Sequence, residues 1–107
     1  MNITEAQVEK ALDYLRDSAE EYAQWRSAER FYVQKIKSIE AAEFMSQEKG
    51  AVEAKRMAAR ASEEYNQALD DYREASYNAE LLNARREAAQ LKISFFQSMV
   101  KTQRAGY

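Results

Sequence analysis

Apolar residues return along the first half of this chain at steps of three and four: Val8, Leu12, Leu15, Ala19, Tyr22, Trp25, Tyr32, Ile36 and Ile39. That rhythm is a heptad-like helical stripe sustained over about five heptads. Thr4, with Gln7 three residues on, reads as a capping box opening a helix near Glu5. Nothing before Glu48 forces a stop, although Ser18 and Glu21 offer a second possible start. Gly50, the only internal glycine, is the natural break. Ala51-Val-Glu-Ala-Lys-Arg-Met-Ala-Ala-Arg60 reads as a short helix. Ser62 before Glu63 and Glu64 is then an N-cap with acidic residues suited to the helix dipole. The final stripe is Tyr65, Leu69, Tyr72, Ala75/Ser76, Ala79, Leu82, Arg86, Ala89, Ile93, Phe96 and Val100. The pattern predicts helices over about 5–48, 51–60 and 62–103 in one domain: an all-α, coiled-coil-like antiparallel hairpin with a short helix at the bend.

Folding the arms about a centre near residue 57 pairs Ile36 with Ala79, Tyr32 with Leu82 or Asn83, Trp25 with Ala89 or Gln90, and Tyr22 with Ile93. Large residues then face small ones, which suits antiparallel packing. The same register sets Glu29 opposite Arg86, the polar interruptions of the two stripes, and predicts an ion pair that fixes register, against the plainer reading that both side chains reach past the seam to water. A further apolar strip, Leu81, Ala88, Leu91, Phe95 and Met99, lies off the seam of the last helix. A helix apolar on two sides needs two neighbours, and a two-helix hairpin supplies one. The strip therefore predicts an oligomer or a partner chain, Leu81, Ala88, Leu91, Phe95 and Met99 forming the interface.

Composition agrees with helices and removes several chemistries. Of 107 residues none is proline, cysteine or histidine, so there is no disulfide, no thiolate site and no Glu-x-x-His di-metal motif. The absence of turn punctuation argues against a sheet, and the aromatic residues at helical spacing argue against disorder. Adjacent acids such as Glu20-Glu21 and Asp70-Asp71 point about 100° apart on a helix and read as a solvated face. No phosphate-binding glycine loop or nucleophile elbow is present. The expectation is a non-enzyme without a cofactor or metal. No apolar run approaches a membrane span and no signal-peptide core follows Met1, so a cytoplasmic setting is expected.

The net charge of −2 singles out no partner, but its distribution is uneven. Residues 1–48 carry six basic and ten acidic groups, whereas 49–61 carry Lys49, Lys55, Arg56 and Arg60 against Glu53 alone. That cluster is the candidate phosphate contact for nucleic acid, against the plainer reading that the charges solvate a turn. Arg85, Lys92, Lys101 and Arg104 form a second basic strip near the expected oligomer face.

Ser62, Glu64 and Tyr65, an alanine-rich middle, then Lys92-Ile93, Ser98 and Arg104-Ala105 carry a resemblance. Residues 62–107 resemble small helical proteins that tailed phages encode beside single-strand annealing or recombinase genes, the T4-type recombination mediators among them. Phe96-Gln97 stands where that pattern has an aromatic followed by arginine, so no DNA contact is carried over to this position. The resemblance implies a non-enzymatic accessory factor in the host cytoplasm that oligomerises, binds single-stranded DNA and helps a recombinase displace the single-strand-binding protein. The rivals are a helical interaction adaptor and a phage-encoded inhibitor of a host protein, neither of which binds DNA.

Overall fold

The computed structural model describes residues 2–47 and 50–106. It is all helical: α1 spans Glu5–Ser46, α2 Val52–Ala61 and α3 Glu63–Ala105, with no strand among the described residues. The local chemistry explains each start. The Thr4 amide donates to Gln7 Oε1 at 2.9 Å and the Gln7 amide donates to Thr4 Oγ1 at 3.2 Å, a reciprocal cap on α1. The Tyr65 amide donates to Ser62 Oγ at 3.2 Å and caps α3 in the same way. Ser62 is the sole residue between α2 and α3, and its extended backbone (φ −66°, ψ 146°) ends α2. Asn66 joins the two helices: its side-chain amide donates to the carbonyls of Arg60 at 3.1 Å and Ser62 at 2.9 Å. The carbonyl of Arg60, in the last turn of α2, thus gains an acceptor role that the helix alone does not give it. α1 runs without interruption through Ser18, so Ser18 and Glu21 start no second helix.

Where chain length predicts one domain, the contacts gather into two compact units, and the long helices α1 and α3 contribute to both. The first comprises Met1–Ala23 and Glu80–Tyr107. Here α1 and α3 run antiparallel, tied by the Tyr22 hydroxyl, which donates to Asn83 Oδ1 at 3.2 Å, and by Arg86, which reaches Leu15 and Ser18. Its buried residues are Ala11, Ser18, Leu82 and Ala89. The second unit, Gln24–Ala79, holds the rest of α1, all of α2 and the first part of α3. α2 lies antiparallel to α1: Arg60 Nε is 3.6 Å from Glu40 Oε1, and Lys55 Nζ sits 5.6 Å from the centroid of the Phe44 ring. Its buried residues are Ile39, Ala59, Ala68, Ala75 and Ala79.

Two details depart from the pattern in the sequence. Tyr22 meets Asn83, ten residues before the Ile93 that folding about residue 57 would bring there. The reversal is at Gly50, which adopts φ +128°, and α2 lies along α1 as part of the returning arm. The second departure is in α1. Leu12 is 51% exposed and Ala19 is also exposed, while their neighbours Ala11 and Ser18 are buried. Small residues at the contact let the helix axes come close, and that outweighs burying Leu12. Every residue of the α3 stripe from Tyr65 to Val100 is buried or half-buried.

A Cβ at Gly50 would meet no atom within 4 Å, so only its backbone conformation demands glycine. Gly50→Ala should lower the unfolding free energy by about 1 kcal/mol. Gly106→Ala, at a position where the added carbon makes ordinary contacts, should leave it unchanged. Urea titration followed by far-ultraviolet circular dichroism measures both.

Candidate functional site

The two arms of the chain meet polar chemistry at Arg86. From α3 its Nη1 donates to the Leu15 carbonyl at 2.7 Å and to Ser18 Oγ at 2.8 Å, and its guanidinium lies 5.4 Å from the centroid of the Tyr22 ring. Glu29 instead accepts from Arg26, one turn earlier on α1, at 3.1 Å. The expected Glu29–Arg86 pair is therefore not formed. With the reversal at Gly50, the residues that face Arg86 are Leu15, Ser18 and Tyr22, and the arginine finds a carbonyl, a hydroxyl and an aromatic face in place of a carboxylate. Hydrogen bonds from a charged donor contribute about 1.5–3 kcal/mol, and cation–π stacking adds to them.

The expected interface residues lie together on α3. Leu91 is 70% exposed and Phe95 48% exposed, Ala88 is exposed, and Leu81 and Met99 are half-buried. Their own unit leaves Ala88, Leu91 and Phe95 open along about two turns of helix. A shallow depression on its C-terminal part, about 380 Å³, is lined by Phe95, Ser98, Met99, Thr102 and Gln103.

Lys49 lies outside the described residues. Lys55 stacks on Phe44, Arg56 pairs with Glu53 at 3.9 Å and Arg60 with Glu40 at 3.6 Å. The described members of the cluster thus each have a partner on the same chain. Exposed pairs of this kind contribute about 0–1 kcal/mol and yield readily to a phosphate. By contrast Arg85, Lys92, Lys101 and Arg104 have no ion-pair partner among the described residues. Glu87 is the last acidic residue in the sequence, so the final stretch of α3 carries positive charge alone. On α1, the hydrogen bond from Arg16 to Asp17, helped by the charges of Asp17 and Asp13, raises the Arg16 pKa and keeps that group firmly protonated.

Sequence reasoning missed a groove between α1 and α3 in the first unit. α1 lines it with Gln7, Lys10, Ala11 and Tyr14, and α3 with Arg85, Ala88, Ala89 and Lys92, around a volume of about 310 Å³. The Tyr14 hydroxyl is buried there without a hydrogen-bond partner; such a group costs about 1–3 kcal/mol. The signal was present in the sequence as Lys10 and Tyr14, but the register that joins them to Arg85 and Lys92 was not.

The chain matches no known family model, no curated protein and no solved structure. No group of three or more acidic residues among the described residues could hold a metal ion. Among the described residues no helix is long and apolar enough to cross a membrane.

Arg86→Met should destabilise the protein by about 1.5–3 kcal/mol. Glu29→Gln, which loses only the Arg26 pair, should cost about 1 kcal/mol or less. Equilibrium unfolding of the two variants checks the difference; equal losses would restore a direct role for Glu29 at Arg86.

Proposed function

We propose that this chain is a non-enzymatic accessory protein that acts by assembling with other chains, and that its principal docking face is the Leu81–Met99 strip of α3. One observation carries the reading: Leu91 and Phe95 are 70% and 48% exposed on the same face of one helix. Covering what each still exposes returns about 1–2 kcal/mol. The occupant we favour is a second copy of the chain, giving a homo-oligomer.

Within that class, the resemblance of residues 62–107 to phage recombination mediators supports a more specific role. The oligomer would bind single-stranded DNA and a recombinase, with Lys55, Arg56, Arg60 and the neighbouring Lys49 contacting phosphates. Repetition of the basic connector around an assembly would multiply a charge cluster that is modest on one copy. The intrachain partners of Lys55, Arg56 and Arg60 favour a second reading, a pure protein-interaction adaptor without DNA binding.

Two measurements test these readings. Leu91→Asp and Phe95→Asp should lower the mass measured by light scattering while helicity is kept; a wild-type protein that sediments as a monomer at high concentration overturns the assembly. A labelled oligodeoxythymidylate should bind the wild type, and binding should fall about tenfold or more between low and physiological salt. An Arg56→Ala/Arg60→Ala variant should bind it more weakly, whereas an adaptor binds it at neither salt concentration.

A further inference from the structure

The groove between α1 and α3 is floored by small side chains and rimmed by charge of one sign. Ala11 and Ala89 are buried at its base and Ala88 stands exposed beside them. These alanines leave room between the longer side chains of the rims for an apolar side chain of another helix. Lys10 lies on the α1 rim, and Arg85 and Lys92 lie on the α3 rim. Arg85 and Lys92 are one heptad apart, about 10 Å along the axis. None of the three has an ion-pair partner among the described residues, and no carboxylate lines the groove.

We propose that this groove is a docking site for an acidic amphipathic helix of a partner protein. Such a helix would set small or medium apolar residues over Ala11, Ala88 and Ala89. Its flanking carboxylates would lie against Lys10 on one side and against Arg85 and Lys92 on the other, as charged flanks do beside a coiled-coil seam. Charge complementarity selects the partner: a basic helix meets three like charges. The site adjoins the proposed assembly face and shares Ala88 with it, but its charged determinants, Lys10, Arg85 and Lys92, are its own.

The test uses the full chain and a fluorescein-labelled peptide of about three heptads with leucine at the core positions and glutamate at the flanks. Fluorescence anisotropy should show saturable binding that weakens with salt. The same peptide with lysine flanks should not bind. Arg85→Glu/Lys92→Glu should weaken binding about tenfold or more. Circular dichroism confirms that these exposed reversals keep the helices. Equal binding of acidic and basic peptides, or binding unaffected by the charge reversals, overturns the proposal. So does a failure of the peptide to bind while the reversals lower the protein's own mass, which assigns the groove to a second copy, or abolish oligodeoxythymidylate binding, which assigns it to DNA.

Discussion

The packing of this protein depends on how closely two long helices can approach, and side-chain size sets that distance. The fully or almost fully buried positions are alanines: Ala59, Ala68, Ala75 and Ala79. Ala11, Ser18 and Ala89 continue the theme in the first unit. Among the described residues no large side chain is completely enclosed. Tyr22, Trp25, Tyr32 and Ile36 are half-buried and lie along the contact instead of inside it. Small residues bring backbones together and gain dispersion contacts, but each alanine removes little apolar area from water. Specific polar links therefore carry much of the register. Arg86 is the strongest of these, because one side chain of α3 holds a carbonyl and a hydroxyl of α1 at once.

The elements and their caps were legible in the sequence because they are local. A capping box needs only Thr4 and Gln7, an N-cap needs Ser62 and the following turn, and the seam of α3 follows a strict helical period. Register was not legible. It depends on where the chain turns, and symmetry of the arms about residue 57 placed the turn several residues after the glycine that makes it. That displacement alone undid the Glu29–Arg86 pair and hid the company of Lys10 and Tyr14 with Arg85 and Lys92. Within α1, hydropathy favoured Leu12 and Ala19 over Ala11 and Ser18. A neighbouring helix at close range reverses that order, and no one-dimensional pattern carries the information.

Charge divides the chain in a way that composition alone conceals. In α1, Arg16 and Arg26 are held by acids on the same helix, and in α2 Arg56 is held likewise. Beyond Glu87, α3 keeps its cations unpaired beside exposed apolar residues. Apolar surface joined to uncompensated charge is the combination expected of a binding face, since the apolar part gives affinity and the charge discriminates between partners.

The thinness of the interior has a consequence for the protein's persistence. Helices joined chiefly through alanines hold little folding free energy in reserve. Any molecule that covers Leu91 and Phe95 binds only the folded chain, so it shifts the folding equilibrium by mass action. Resistance to proteases, and with it the lifetime of each copy, would then track how much of the binding partner is at hand.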